Sequence, residues 1–129
     1  MNNYENFFAN LQVLQNADPK LAYSDEKYRV DLIKLFNVTF GMASKILSEA
    51  LCNIASVQEI GNPEDFFQVC VDKGLINDSQ IWENMQNDRN LSLFIYNEKT
   101  MADILVRVIT SYIPELSDFA NKLVSLRNS

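Results

Sequence analysis

From residue 25 to residue 54 the sequence keeps apolar side chains in helical register without a break. Leu32, Leu35, Phe36, Thr39, Ala43, Ile46, Leu47, Ala50, Leu51 and Ile54 recur at three- and four-residue spacing, which on a helix places them along one face. A second set, Ile33, Phe36, Phe40 and Met42, widens that face beyond what one neighbouring helix would cover. Two readings account for the width: a helix central to its own bundle, or a helix also buried against another subunit. With only three glycines and three prolines in 129 residues and a hydrophobic content of 47%, long helices joined by short connections are expected. The length suits one domain, residues 1–129, with a real core.

The flanking segments extend the same pattern. Tyr4, Phe7, Phe8, Leu11 and Leu14 give residues 3–16 one apolar face, and Asn16, Asp18 and Pro19 end that helix. Ser24 is the expected cap before residue 25, without a full capping box. Residues 55–62 read as a polar connection, with Asn62 as N-cap and Pro63 at the first position of a short helix. Glu64 and Asp65 suit the positive end of its dipole rather than a catalytic pair. Phe66, Phe67, Val69, Cys70 and Val71 fill this helix, Gly74 ends it, and Leu75 folds back over its end. Asn77 or Asp78 starts the next helix, anchored by Ile81, Trp82 and Met85, and the Trp82 indole N–H needs a partner. From Asn97 as cap, Met101, Ile104, Leu105, Val108, Ile109, Tyr112, Ile113, Leu116, Phe119, Ala120, Leu123 and Val124 keep register straight through Pro114. Ile113 would be a poor N-cap, so one kinked helix is expected rather than two. The organisation is an all-α bundle of three long helices, with two short ones between the second and third.

Charge and composition narrow the functions. The formal net charge of −6 argues against broad attraction to nucleic acid, although a local basic cleft remains compatible with it. Cys52 and Cys70 are far apart, form no CxxC pair and fall in apolar helical patterns, so both are expected as reduced core residues. The chain contains no histidine, which removes the commonest metal ligand and the Ser-His and Cys-His arrangements. No metal and no cofactor are expected. The first residues carry no signal-peptide pattern and no apolar run reaches membrane-spanning length, so a cytoplasmic protein with no membrane association is expected.

One segment has the spacing of an arginine-plus-histidine ribonuclease motif: Asp88-Arg89-Asn90-Leu91-Ser92-Leu93-Phe94-Ile95-Tyr96-Asn97-Glu98. Metal-independent RNA cleavage needs a base for the 2′-hydroxyl, an acid for the leaving oxygen and a cation near the phosphate. Arg89 can supply the cation. Phe94, where the histidine would stand, cannot transfer a proton, and the Tyr96 phenol is a poor base near neutrality. The plain structural alternative has Arg89 capping carbonyls at the end of the preceding helix, Asn90 satisfying a turn and Tyr96 half-buried in the core.

The order of features is similar to the nucleotidyltransferase substrate-binding family, a branch of the HEPN superfamily. The likeness rests on residues 32–40 of the long helix, on Asn62-Pro63 through Lys73-Gly74-Leu75-Ile76, and on Ile81-Trp82-Glu83-Asn84-Met85 leading to Asp88-Arg89-Asn90-Leu91 and Tyr96-Asn97-Glu98. The resemblance implies an antiparallel up-and-down helical bundle of HEPN type, four-helix-bundle-like with short extra helices, that forms a homodimer and assembles with a minimal nucleotidyltransferase. Similar pairs act as toxin and antitoxin, the helical protein being a ribonuclease that its partner silences by transferring AMP to a tyrosine just past the motif histidine. On this sequence Arg89 matches the motif arginine, Phe94 occupies the histidine position and Tyr96 matches the modifiable tyrosine.

Three readings follow. The leading one is a non-catalytic subunit that pairs with a nucleotidyltransferase, with Arg89, Asn90 and Tyr96 as ligand- or partner-binding candidates and Tyr96 as a nucleotidylation site. The second is an endoribonuclease working through Arg89 and Tyr96, with RNA as its substrate. The third is a helical adaptor unrelated to nucleotides.

Overall fold

The computed structural model describes residues 3–94 and 97–127. Eight α-helices account for most of them: α1 (Asn3–Gln15), α2 (Pro19–Ser24), α3 (Glu26–Ile54), α4 (Val57–Ile60), α5 (Phe66–Asp72), α6 (Ser79–Phe94), α7 (Glu98–Arg107) and α8 (Ile113–Arg127). A 3-10 turn at Pro63–Asp65 precedes α5, and a π-helical turn at Val108–Tyr112 joins α7 to α8. No strand occurs among the described residues.

The bundle is built from α1, α3, α6 and the α7–α8 pair. Asn3 reaches Glu49 and Asn10 reaches Met42, so α1 runs antiparallel to α3. Asn37 bonds Ser92 while Arg89 lies over Phe40, which sets α6 antiparallel to α3 as well. Asp88 meets Arg107 and Trp82 meets Glu115, so the α7–α8 pair runs back along α6. The result is up-down-up-down, with α6 a full member of the bundle rather than a short connector.

The width of the α3 stripe is consumed inside the chain. Ile33, Phe36, Phe40, Ala43, Ile46 and Leu47 are all buried, because α3 packs against α1, α6 and α7 at once. Of that stripe Ile54 is half exposed, on the wall of a surface recess that it shares with Tyr4 of α1 and Leu123 of α8. At the centre Trp82 is fully buried among Phe40, Phe67 and Phe119, with the Phe119 ring edge-on at 5.1 Å. Its indole N–H donates to Glu115 Oε1 at 3.1 Å, which supplies the partner that a buried indole requires. Burial pushes the Glu115 carboxyl up, against the Trp82 donor, which favours the ionised form.

Local chemistry explains the helix ends, with corrections to the sequence reading. The long helix is capped by Asp25, whose carboxylate accepts from the Tyr28 N–H at 2.9 Å. Ser24 instead turns back onto the Lys20 and Leu21 carbonyls of α2. That short helix was not expected; Asp18 caps it through the Lys20 and Leu21 N–H groups. The polar connection 55–62 contains α4, entered where Ser56 Oγ accepts from the Glu59 N–H. Asn62-Pro63 opens a 3-10 turn rather than an α-helix, and the α-helix begins three residues later. Gly74 at φ +78°, with the Leu75 N–H on the Cys70 carbonyl and its own N–H on the Val71 carbonyl, closes α5 in a Schellman motif. Asp78 is the cap of α6 and Asn97 that of α7.

Helical structure runs on through Pro114. A proline removes one hydrogen bond and its ring crowds the carbonyl four residues back, here that of Thr110. The π turn relieves this, with the Ile113 N–H reaching five residues back to Val108.

The two cysteines separate. Cys70 is buried, and burial pushes its thiol up to about 12, whereas Cys52 is exposed on the outer face of α3, against the core placement expected for both. Below pH 9 the Cys70 thiol is protonated in folded and unfolded chains alike. Between 9 and about 12 only the unfolded chain releases its proton, so folding stability falls as pH rises through that window. Urea midpoints measured from pH 8 to 11 will show this decline, and Cys70→Ala will reduce it. A thiol reagent at pH 8 will label Cys52 at once and Cys70 only on unfolding.

Candidate functional site

Three elements converge on a cleft of about 350 Å³ lined by Phe40, Gly41 and Ser44 of α3, Phe66 and Phe67 of α5, and Gln86 and Arg89 of α6. Helical spacing does the positioning: residues 40, 41 and 44 share one side of α3, and 86 and 89 share one side of α6. Arg89 spans the cleft with its guanidinium carbon 5.7 Å from the centre of the Phe40 ring. That distance gives a cation–π contact and orients the planar group. One terminal nitrogen donates to Asn90 Oδ1 at 3.1 Å.

Two residues that line this cleft each carry a buried polar atom with no hydrogen-bond partner in the protein, Arg89 Nε and Ser44 Oγ. A third, Asn37 Oδ1, lies about two turns before Ser44 on α3. Leaving a buried donor unsatisfied costs about 1–3 kcal/mol, and more when it is charged. A guanidinium N–H is a donor only, and a hydroxyl can donate or accept. A guanidinium and a hydroxyl lining one cleft beside aromatic rings suit an oxyanion. A Cβ built on Gly41 meets nothing within 4 Å, so the glycine leaves this wall open.

The cleft is held rigidly from both sides of α6. On the α3 side, Asn37 Nδ2 donates to Ser92 Oγ at 2.9 Å, and Ser92 in turn donates to the Arg89 carbonyl. On the other side, Asp88, buried to 7% exposure, takes two hydrogen bonds from Arg107 at 2.7 and 3.0 Å and one from the Tyr112 hydroxyl at 2.5 Å. Burial and the Asp88 hydrogen bond push the Tyr112 hydroxyl well above the ordinary phenol range, and Asp88 likewise raises Arg107. Tyr112 is therefore held protonated as a donor.

The sequence-derived candidates divide. Arg89 and Asn90 lie inside α6, not at a helix end or in a turn as the plain reading had them, because the helix runs on to Phe94. Arg89 lines the cleft, and Asn90 lines an adjoining recess. Phe94 is 85% exposed at the end of α6. Five residues separate it from Arg89, roughly 140° around a helix, so it points away from the cleft. Tyr96 lies outside the described residues. Sequence reading missed Ser44, Gly41 and Gln86, and the aromatic wall counted only as core. The Asp88–Arg107–Tyr112 cluster was missed too; its one sequence signal is an acid facing the inner side of a helix otherwise anchored by Trp82 and Met85.

The described residues form a four-helix arrangement with a cation-bearing, aromatic-walled cleft. Residues 1–125 match the family described as nucleotidyltransferase substrate binding protein like, and the chain belongs to that family. None of the curated proteins compared matches it. Among the described residues no helix is long and apolar enough to cross a membrane.

Proposed function

We propose that this chain is a non-catalytic subunit that pairs with a minimal nucleotidyltransferase and holds that enzyme's substrate in the Arg89 cleft. The family match carries the pairing. The binding role is supported by Arg89 Nε and Ser44 Oγ, buried and unpartnered in one cavity. The non-catalytic reading is supported by the lack of histidine and by the outward Phe94. In the alternative form of this proposal the chain is itself the substrate, with Tyr96 as nucleotidylation site, and the HEPN-type toxin–antitoxin pairing implied by the resemblance goes with it. A cytoplasmic homodimer completes it. The homodimer takes no support from α3, whose apolar width is used within the chain, and light scattering measures it directly.

The test is purification of the tagged protein from its own host, with identification of what accompanies it and an intact mass. Co-isolation of a small nucleotidyltransferase is the expected result, with an added nucleotide on Tyr96 if that residue is the acceptor. A lone, unmodified chain from cells that express such an enzyme overturns the pairing. The acidic surface suits a basic partner face, which governs association rate more than affinity. Reversing the exposed acids Glu49, Asp72 and Asp118 in turn is expected to slow association at low salt by severalfold for those within the interface. Unchanged kinetics for all three would place the interface elsewhere.

A further inference from the structure

The Arg89 cleft does not end at α6. It shares Phe67 and Gln86 with a second recess of about 410 Å³, lined also by Glu64, Glu83, Asn87 and Asn90. Across the two, Arg89 is the one cation among the lining residues and Glu64 and Glu83 are the two anions. Arg89 and Glu83 are six residues apart on one helix, about 9 Å along its axis. The two recesses adjoin at Phe67 and Gln86, with an oxyanion-seeking group, Arg89, in one and the ammonium-seeking carboxylates of Glu64 and Glu83 in the other. A polyanion that satisfied Arg89 would be repelled by the carboxylates, and a simple cation would leave Arg89 Nε and Ser44 Oγ unpartnered.

We infer that the substrate is a small zwitterion, its acid group held by Arg89 and Ser44, its ammonium group by Glu83 and Glu64, and a flat apolar body between them against Phe67. The inference rests on the proposal that this cleft is the substrate site, and it names the chemistry that the site selects. Charge at both ends fixes its orientation, and the aromatic wall accepts any planar body of suitable size.

Isothermal titration calorimetry of the full chain tests this with 4-(aminomethyl)benzoate as the zwitterion. Its same-sized controls are 4-methylbenzoate, which lacks the amine, and 4-methylbenzylamine, which lacks the acid; AMP serves as a polyanion. The zwitterion is expected to bind at least about tenfold more tightly than either control, the scale of one charge-assisted hydrogen bond. Glu83→Gln is expected to abolish its advantage over 4-methylbenzoate while leaving 4-methylbenzoate binding unchanged. Gly41→Leu, which projects a side chain into open space, is expected to block every probe while the circular dichroism spectrum stays that of the native helix bundle. Equal binding of the zwitterion and 4-methylbenzoate, tighter binding of AMP, or no binding of any probe each overturns the inference. Co-purification reports separately on the pairing, so a failed titration leaves that result standing, and an absent partner leaves the titration intact.

Discussion

Trp82→Ala is expected to lower unfolding stability by about 3–5 kcal/mol, the cost of removing a large aromatic side chain from a packed core. Trp82 is at the upper part of that range for three reasons. It is fully buried, and it touches three aromatic rings from α3, α5 and α8, so no single neighbour can move in to fill the void. Its loss also strands Glu115 Oε1, a half-buried acceptor of the indole N–H. Since a domain of this kind has only about 5–15 kcal/mol in total, the variant will unfold at a much lower urea midpoint. Trp82→Phe keeps most of the ring volume and loses the N–H, and it should recover more than half of the deficit. If the alanine variant lost under about 1 kcal/mol, the tightly packed centre described above would be wrong.

Asp88→Ala comes next, with an expected loss of about 3 kcal/mol. Removing one member of a buried ion pair costs about 3–5 kcal/mol, and the lower figure applies because the Arg107 side chain is 43% exposed and can turn to water. Tyr112 has no such escape, being 2% exposed, so its hydroxyl is left without its acceptor. Asp88→Asn is expected to cost less, because the amide oxygen still accepts from Tyr112. The two variants have a functional consequence besides. Asp88 ties α6 to the α7–α8 pair one residue before Arg89, so its loss frees the rotational setting that aims Arg89 into the cleft. Hydrogen exchange of the α6 amides will rise in Asp88→Ala and stay near native in a distant control such as Cys52→Ala. Equal protection in both would show that Asp88 does not hold α6 in place.

Both effects begin in contacts that periodicity does not encode. Apolar spacing identified Trp82 as core and correctly asked for an indole partner, but Glu115 lies 33 residues away on another helix. Asp88 stood in the quoted motif with no role, since its partners, Arg107 and Tyr112, come into reach only when α6 and the α7–α8 pair lie antiparallel. The same applies to the cleft. Arg89 was singled out from its motif, whereas Ser44 and Gly41 were not singled out at all. Their importance arises from facing Arg89 across a gap that neither α3 nor α6 forms alone.

The sequence by itself determined the all-helical class, the register of the long helices, the Gly74 and Asn97 ends, and continuity through Pro114. Each is decided within about one helical turn, by side-chain periodicity, backbone freedom or a single capping group. Tertiary structure decided the rest: that the broad face of α3 is spent inside the chain, and that Cys52 faces outward while Cys70 does not. The physical reason is that burial and pairing depend on which faces meet. A helix specifies its own faces, but only packing against several neighbours at once decides which of them remain open to a ligand.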